Sequence, residues 1–268
     1  MIHSSAVIDV AARLGAGIEV GPYAIIGPHV TLGDRCRVMG HAVLTGHVTM
    51  GPENVVGFGS VIGADPQDFA FDPSTRSDVV VGAKNVFREY VTIHRGTAPH
   101  SSTVVGDENY VMTGVHFGHN VRVGNRTVIA NNVLLAGYVE IGDQAVLGGG
   151  TVFHQFMRVG RLCMVRGGTR FGKDIPPFLL ADRTNIVTGL NSVGLRRAGL
   201  PAETRAELKR LFKLLFASGL NVSQALDEAG RQSWSPEANE MLQFVSEAKK
   251  RGLCRASISA RGDSSADE

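Results

Sequence analysis

The sequence lacks paired cysteines, long apolar runs and a strong net charge of either sign. Its three cysteines, Cys36, Cys163 and Cys254, are an odd number without a CxxC pair, which argues against a disulfide framework and favours a reducing compartment. No apolar stretch approaches the roughly 20 residues that span a bilayer, and no basic segment followed by an apolar run resembles a signal peptide. A net charge of +2 gives no reason to expect nucleic acid or a membrane surface as partner. We therefore expect a cytoplasmic protein.

Glycine is abundant instead, with 33 in the 268 residues, and its spacing follows a period of six. Steps of six from Leu14 to Ile62 meet only aliphatic residues and methionine, and steps of six from Val105 to Phe171 meet only apolar residues. A glycine follows most of these positions. Such a short repeat indicates a solenoid, in which each hexapeptide supplies a strand and a turn and the apolar residue points inwards. We interpret the glycines as turn residues whose backbone conformation a Cβ would strain.

Three hexapeptides make one triangular coil, so the repeat predicts an all-β solenoid, a parallel β-helix, whose handedness does not follow from the sequence. Two segments leave the repeat. Residues 64–80 shift its phase by one, and residues 96–103 place Pro99 where an apolar residue belongs. The repeat ends at Pro176 and Pro177, and three helical patterns follow from Pro201. We predict a β-helix over 1–177, a helical domain over 178–255 that caps the coil, and a disordered tail over 256–268.

Histidines cluster at His94, His116, His119 and His154. His119 follows Gly118 in VHFGHNVRVG, a position outside the apolar core, where an imidazole can act as general base for a hydroxyl. From the residues alone, a surface role for His119 is equally open. The pair His116 and His119 is a weak metal candidate because no carboxylate or cysteine adjoins it. We expect neither a metal nor a cofactor.

A basic strip lies on the first long predicted helix, where Arg205, Lys209 and Lys213 recur at intervals of four. Such a strip is either a solvated helix face or a docking surface for an acidic protein. No GxxxxGK[ST] loop and no GxSxG turn is present, so the sequence offers neither a phosphate-binding loop nor a nucleophilic serine of those types.

Five segments, taken in order, are similar to the bacterial UDP-N-acetylglucosamine O-acyltransferase family: REYVTIHRGT, HFGHNVRVGNRTVIANNVLLAG, GGGTVFHQFMRVG, KDIPPF and GLRRAG. The resemblance covers nearly the whole chain. It implies a left-handed coil and a homotrimer with active sites in the clefts between subunits. It also implies transfer of an acyl chain, often 3-hydroxylated, from acyl carrier protein to the 3-hydroxyl of a UDP-amino sugar, the first step of lipid A synthesis. Carrier protein is acidic, which favours docking at the basic strip.

The resemblance also implies roles for single residues. A general base at His119 would activate the sugar hydroxyl for direct attack, without a covalent intermediate, and the backbone N–H of Gly137 would hold the oxyanion. The remaining implied contacts are to the acceptor sugar, the substrate cleft or the nucleotide: Asp68 to the sugar, His116, His154 and Gln155 in the cleft, and Asn191 and Arg197 to the nucleotide.

Departures from the family pattern fall mostly on the substrate contacts. They are Ala70 for a lysine, Asn120 for an aspartate, Tyr138 for a histidine, Val193 for an acidic residue and Ala198 for an arginine. Three alternatives therefore stay open: the 3-amino analogue of the sugar as acceptor, a coenzyme A-dependent transferase acting on another nucleotide sugar, and a catalytically silent trimeric paralogue. The length of the acyl chain does not follow from the sequence.

Overall fold

The structure, a computed structural model, describes residues 1–248 and 251–257. Its short strands fall in turn into three sheets, so the chain coils around a triangular axis with one sheet on each side. In the part of the chain that the structure describes, the strands pair in parallel, except for one antiparallel pair near the C-terminal end. This architecture confirms the parallel β-helix, followed by a short helical part, that the hexapeptide period predicts.

The strands of each sheet are stacked in chain order. The first sheet contains Val7–Ile8, Ile25–Ile26, Val43–Leu44, Val61–Ala64, Thr92–His94, His116–Phe117, Leu134–Leu135, Val152–Phe153 and Arg170–Phe171. The second contains Arg13–Leu14, Val30–Leu32, His47–Met50, Asp78–Val81, Ser102–Val105, Arg122–Val123, Glu140–Ile141 and Arg158–Val159. The third contains Glu19–Val20, Arg37–Val38, Val55–Val56, Val86–Phe87, Tyr110–Val111, Val128–Ile129, Val146–Leu147, Met164–Val165, Leu179–Ala181, Ile186–Leu190 and Arg255–Ala256.

The strand register measures the length of one coil. Arg13 pairs with Thr31, so a coil without a loop takes three hexapeptides. Val61 pairs with Thr92 and Thr92 with His116, and both of these coils are longer because each carries a loop. The first loop lengthens its coil by two hexapeptides and an odd residue, which explains the phase slip in the sequence. Both loops leave the coil at the corner between the first and second sheets.

The apolar series fills the inside of the coil, as the period predicts. Its members from Val20 to Ile62 and from Val105 to Phe171 are all buried. Phenylalanines lie fully buried at Phe87, Phe117 and Phe153, and the rings of Phe153 and Phe171 stack with their centroids 5.8 Å apart. Burying a side chain of this size stabilises the fold by about 1.5–3 kcal/mol, and the stacked coils repeat that gain along one continuous core.

The repeat glycines allow neighbouring coils to approach, and our turn interpretation of them was wrong. Among the glycines that follow the apolar series, only Gly63 has a positive φ, of 90°. A Cβ on Gly57 would instead lie 2.4 Å from the carbonyl carbon of Arg88 in the next coil. The left-handed turn positions lie elsewhere in the hexapeptide and are taken by several residue types, including Gly59, Asn120 and Tyr138 with φ of 65°, 60° and 61°. Coils about 4.8 Å apart leave no room for a side chain where their backbones meet.

The third sheet continues beyond the boundary that we predicted at residue 177. Leu179–Ala181 extends it in parallel, Ile186–Leu190 then pairs antiparallel, and Arg255–Ala256 adds a last strand. We placed the boundary where the apolar period stops, but backbone pairing does not require that period. Residues 258–268 of the predicted tail lie outside the described residues, and Ala256 pairs as a strand residue.

Within the described residues four helices follow: α1 (Ser192–Arg197), α2 (Ala202–Ala217), α3 (Val222–Ala229) and α4 (Pro236–Ser246). Helix α4 is joined to the coil by Arg158, which donates to the carbonyl of Phe244 at 3.1 Å and pairs with Asp174 at 3.0 Å. Arg161 adds an ion pair with Glu240 at 2.6 Å. No helix among the described residues is both long and apolar enough to cross a membrane.

Candidate active site

One corner of the coil, between the first and second sheets, carries four of the residues that the sequence singles out, among them the candidate general base. Three successive coils place His119, Gly137 and Gln155 there, each one full coil after the one before. The backbone N–H of Tyr138 donates to the carbonyl of His119, and that of Phe156 to the carbonyl of Gly137, both at 3.0 Å. The corner is therefore a ladder of turns that presents side chains outside the apolar core.

The contacts of Asn120 assign the proton of His119. The Nδ1 of His119 lies 3.1 Å from the Oδ1 of Asn120. That same Asn120 atom accepts the backbone N–H of Thr97 at 3.1 Å, and because a backbone N–H can only donate, the atom is the carbonyl oxygen. His119 Nδ1 therefore carries the proton, and Nε2 is the nitrogen with a free lone pair. This is the tautomer that a general base working through Nε2 requires.

Asn120 is itself held firmly. It is buried, with 7% of its surface exposed, and its backbone N–H donates to the hydroxyl of Thr103 at 2.8 Å. The Thr97 hydroxyl donates to the Asn120 oxygen at 3.1 Å and lies 3.1 Å from the hydroxyl of Tyr138. The loop that the sequence predicts at 96–103 thus surrounds Asn120 with hydroxyl groups. These threonines could not be predicted from the sequence, since nothing in a repeat marks which loop side chains turn back towards the coil.

Gly137 lies directly beneath the His119 ring. A Cβ at this position would be 2.4 Å from Cε1 and 2.5 Å from Nε2 of His119, far inside van der Waals contact. The backbone N–H of Gly137 has no acceptor among the described residues, although those of Ala136 and Tyr138, on either side of it in the chain, donate to carbonyls of Phe153 and His119. A free N–H beside an unprotonated Nε2 is an arrangement that can stabilise a developing oxyanion close to a general base.

Two aromatic rings continue the column below His119. The ring of Tyr138 meets His119 edge to face, with centroids 5.2 Å apart at 85°, and stacks on Phe156 at 4.8 Å and 15°. Such pairs restrict ring rotation in addition to burying apolar surface. Tyr138 thus packs against His119 and reaches Thr97, and Phe156 supports it from the next coil.

His116 and His94 form a pair of contacting rings on the first sheet, beside the corner that carries His119. Their ring centroids are 5.0 Å apart at 60°. His116 Nδ1 lies 2.8 Å from the Thr92 hydroxyl, and His94 Nδ1 donates to the carbonyl of Asp65 at 2.6 Å. Burial, and secondarily the neighbouring His94, lower the pKa of His116 to about 4, so its imidazole is neutral at physiological pH.

Arg95, whose role is not evident from the sequence, anchors the loop that carries Asp68. Its side chain is 8% exposed and pairs with Asp65 at 2.8 Å. It also donates to the carbonyls of Pro73, at 3.0 Å, and Thr75, and its guanidinium lies 4.8 Å from the centre of the Phe71 ring. A guanidinium offers five donors in a fixed plane, so one side chain can hold several points of a loop. The signals in the sequence are a cation at a strand end beside the inserted segment and its place in the segment REYVTIHRGT.

Asp68 lies at the exposed tip of this loop. One carboxylate oxygen accepts the backbone N–H of Ala70 at 2.9 Å, which forms an Asx turn and leaves the other oxygen open. The neighbouring Phe69 is fully exposed.

His154 and Gln155 are also exposed, at the corner two coils beyond His119, where His154 Nδ1 lies 3.4 Å from the carbonyl of Gln155.

Asn191 and Arg197 lie at the two ends of α1, apart from the histidine corner. The Asn191 side chain accepts the N–H of Gly194 at 3.1 Å as the helix cap and donates to the carbonyl of Leu162 at 2.9 Å. Both of its polar groups therefore already have a protein partner. Arg197 is exposed in the last turn of α1.

The basic strip occupies one side of α2. Arg205 donates to the carbonyl of Leu200 at 3.2 Å, while Lys209 and Lys213 are exposed. These two lysines, together with Phe212, border a cavity of about 350 Å³ beside the strand Ile186–Leu190. Among the described residues, no group of three or more histidine, cysteine or carboxylate side chains could hold a metal ion.

Comparison with known proteins gives matches over both parts of the chain. Residues 174–254 match the family profile described as UDP N-acetylglucosamine O-acyltransferase, domain 2, and residues 102–137 match the bacterial transferase hexapeptide of six repeats. The acyl-(acyl-carrier-protein)–UDP-N-acetylglucosamine O-acyltransferase of Trichlorobacter lovleyi is 51% identical over 263 residues, covering 95% of this chain and 99% of that protein. The enzyme of the same name from Thermodesulfovibrio yellowstonii is 38% identical over 257 residues, with the same coverage.

Solved structures agree with these sequence matches. A UDP-N-acetylglucosamine acyltransferase from Bacteroides fragilis superposes with a TM-score of 0.91 at 36% identity, covering 95% of this chain and all of that one. The corresponding enzyme from Campylobacter jejuni gives a TM-score of 0.89 at 34% identity. The similarity extends over coil and helices alike, and with the hexapeptide match it confirms the left-handed parallel β-helix.

Proposed function

The chain belongs to the family of the acyl-(acyl-carrier-protein)–UDP-N-acetylglucosamine O-acyltransferases, and from this premise we propose that it catalyses their reaction with His119 as general base. The product would be a 3-O-acylated UDP-N-acetylglucosamine, the first intermediate of lipid A synthesis. The observation that carries the mechanism is the tautomer of His119. Its Nδ1 proton is engaged by Asn120, which leaves Nε2 free above Gly137.

The chemical step follows from this geometry. Nε2 of His119 takes the proton of the sugar 3-hydroxyl as that oxygen attacks the thioester carbonyl of the acyl donor. The carbonyl oxygen becomes an oxyanion, and the free N–H of Gly137 is the donor we assign to it. The intermediate collapses with loss of the carrier thiolate, which recovers the proton from the His119 imidazolium. A thiolate is already a good leaving group, so no covalent acyl-enzyme is needed.

Asn120 sets the orientation of the base without adding negative charge. A neutral amide oxygen accepts the Nδ1 proton and fixes the ring, whereas a carboxylate there would also stabilise the imidazolium that forms during attack. The Asn120 oxygen is further occupied by two donors from Thr97. We infer that this chain relies on a rigid neutral contact where the family pattern has an aspartate.

We assign acceptor recognition to the loop anchored by Arg95 and to the first-sheet histidines. The open oxygen of Asp68 can accept a sugar hydroxyl, and a neutral His116 can exchange hydrogen bonds without repelling a proton on His119. His154 and Gln155 would line the cleft on the far side of the corner. Arg197 suits a diphosphate, while the role of Asn191 would be to hold the start of α1 near the nucleotide, since its side chain is used within the protein.

We also propose that the protein is a homotrimer. The outward side chains of the first sheet are mostly apolar, among them the exposed Ile25, Leu134 and Val152, and those of the third sheet include Val55, Val128 and Val146. The outward side chains of the second sheet include charged residues such as Arg13, Arg122 and Glu140. Two apolar faces and one polar face on a triangular rod suit a closed threefold ring with the polar face in water. His119 would then lie at the edge of the subunit interface.

Carrier-protein docking is assigned to Arg205, Lys209 and Lys213 on α2. Acyl carrier protein is acidic, and exposed lysines would attract it by long-range charge.

A cytoplasmic location fits the three cysteines, which are buried and free; burial raises the pKa of both Cys163 and Cys254 to about 12, so their thiols stay protonated.

A donor-exchange assay tests the proposal. Purified protein is supplied with UDP-N-acetylglucosamine and either acyl carrier protein thioesters or acyl-coenzyme A of several chain lengths. Ester product with carrier protein alone is the expected result. Product with coenzyme A alone would favour the alternative donor, and amide product with the 3-amino sugar alone would change the acceptor. No product with any pair would overturn the proposal and favour a silent paralogue.

A further inference from the structure

A polar cavity of about 470 Å³ lies at the same corner of the coil, separated from His119 by the loop over residues 65–77. His47 comes three coils before His119, a separation of about 14 Å along the axis. Seven side chains of its lining are polar: Arg13, His29, Thr31, His47, Thr49, Arg76 and Asp78. The catalytic mechanism above uses none of them.

The strand register brings these groups together in two neighbouring columns. Arg13 pairs with Thr31 and Thr31 with Thr49, so one guanidinium and two hydroxyls share a column on the outer face of the second sheet. The rings of His29 and His47 stack in the adjoining column, with centroids 4.4 Å apart and planes at 8°. The cavity thus has donors on two sides.

The charges of the cavity do not balance. Neither Arg13 nor Arg76 forms an ion pair within the part of the chain that the structure describes, and Asp78 is the single carboxylate of the lining. Like charges held together without a counter-ion are unfavourable, and a bound anion would relieve them. Guanidinium groups are the side chains best shaped to hold phosphate oxygens in pairs.

Arg76 is placed in advance by the loop anchor. Its neighbours Thr75 and Ser77 are both bonded to Arg95, and its own carbonyl accepts the N–H of His100 at 2.8 Å. A ligand therefore meets an ordered backbone and does not have to order it, which favours binding.

From this arrangement we propose that the cavity is a binding site for a phosphate dianion, held by Arg13 and Arg76 and completed by the histidine pair and the threonine hydroxyls. The site does not depend on acyl transfer. Its phosphate could be free inorganic phosphate or the phosphomonoester headgroup of a lipid, and the two sources are separated by the test below.

The charge on His47 gives the site a measurable signature. Burial, then the charges of His29, Arg76 and Arg95, lower the pKa of His47, against an opposing contribution from Asp78. Arg13 also faces the cavity. A bound dianion adds negative charge, so we expect it to raise the pKa of His47. Near pH 6.5 most free phosphate is the monoanion, which releases a proton when it binds as the dianion, and proton uptake by His47 should offset part of that release.

The test is calorimetric titration of the full-length protein with inorganic phosphate in chloride buffer, repeated in two buffers of different ionisation enthalpy to count protons. Expected results near pH 6.5 are saturable binding, a Kd at least about tenfold weaker in Arg13→Gln and Arg76→Gln, and a larger net proton release per bound phosphate in His47→Gln than in wild type. Arg126→Gln removes an exposed arginine from another corner and is the matched control, which should bind like wild type.

Sedimentation with phosphatidylcholine vesicles, with and without phosphatidic acid, separates the sources. Binding of free phosphate that the two arginine variants lose supports a soluble ligand. Binding only to the vesicles with phosphatidic acid, again lost in those variants, supports a lipid headgroup. Binding that is equal in wild type and in both arginine variants, or no binding to either probe, overturns the proposal. Thermal unfolding of each variant confirms that the comparison is made between folded proteins.

Discussion

The same corner of the coil builds two histidine pairs whose surroundings differ. His29 and His47 stack face to face, 4.4 Å apart, beside a cavity open to solvent. His94 and His116 meet edge to face at 5.0 Å, and His94 is only 7% exposed. In each pair the two rings belong to neighbouring coils. The difference arises from the loop over residues 65–77, whose Asp65 contacts His94 and whose Arg76 faces the other pair.

The contrast teaches that the hexapeptide corner has no chemistry of its own. The coil sets only the spacing at which side chains repeat, and inserted residues decide which of them are dry, charged or paired. Below the loop, Thr97 and Asn120 fix a single tautomer of His119. On the N-terminal side, at the cavity beside His47, Arg13 and Arg76 remain without a carboxylate partner in the described chain. Variants on either side of the loop should therefore separate catalysis from anion binding.

The largest effect is expected from His119→Ala. Loss of a general base lowers kcat by about 10²–10⁴-fold, with little change in KM, since the ring contributes mainly to proton transfer. His47→Ala removes the same kind of side chain three coils away and should retain a near-normal rate. The measurement is the kcat and KM of both variants in steady-state kinetics with a carrier-protein thioester as acyl donor. Equal losses in both variants would refute the distinction between the two regions.

A smaller loss, of about 10²-fold in kcat, is expected from Gly137→Ala. The new Cβ would lie 2.4 Å from His119 Cε1 and must push the ring away from its position over the N–H of residue 137. Gly172→Ala is the matched control at the same corner, because a Cβ there meets only Asn185 Oδ1 at 4.0 Å. Normal activity in Gly137→Ala would show that the ring is not constrained by this contact.

His119 and Gly137 also illustrate which features of the fold and of the site could be predicted from the sequence and which could not. The period of six predicted the strands and the buried series, because one apolar residue per hexapeptide is a local rule. It placed His119 outside the core for the same reason. It could not predict that Arg95 and Thr97 reach the site, because their contacts cross from one coil to a loop of another and depend on where an irregular backbone runs. The reason for the repeat glycines was likewise hidden, since the clash lies with residues of the next coil.

An effect on stability, on the order of 2–3 kcal/mol, is expected for the His94–His116 pair at low pH. The pKa of His116 is about 4 in the folded protein against 6.5 for the free side chain. Between these values the unfolded chain binds a proton that the folded chain does not, so stability falls as pH drops from 6.5 to 4. His116→Gln should flatten the dependence of the unfolding free energy on pH between 6.5 and 4, measured by denaturant titration at each pH. An unchanged slope in this variant would show that His116 is not the group responsible.

Arg95→Lys is expected to raise the KM for UDP-N-acetylglucosamine by about tenfold and to leave kcat within a few-fold. Lysine keeps the charge but loses the planar set of donors that holds Asp65, Pro73 and Thr75, so the loop with Asp68 is less ordered. Arg126→Lys is the control for the same exchange on the surface. An unchanged KM with a lower melting temperature would assign Arg95 to stability alone.

The smallest effect is expected from Asn120→Asp, which replaces the side-chain amide beside His119 by a carboxylate. The carboxylate keeps an oxygen for His119 Nδ1 and for both donors of Thr97, so the ring stays in place. Its negative charge favours the imidazolium, and the acidic limb of the kcat/KM profile should move up by about one pH unit. Activity therefore falls at pH 6, while kcat at pH 8 stays equal or rises slightly because the charged intermediate is stabilised. Asp78→Asn changes the charge in the opposite sense near the other histidine pair and should leave this profile where it is. A profile that moves by as much in Asp78→Asn, but in the opposite direction, would mean that the two regions share their electrostatic field. The loop between them would then couple the two sites instead of separating them.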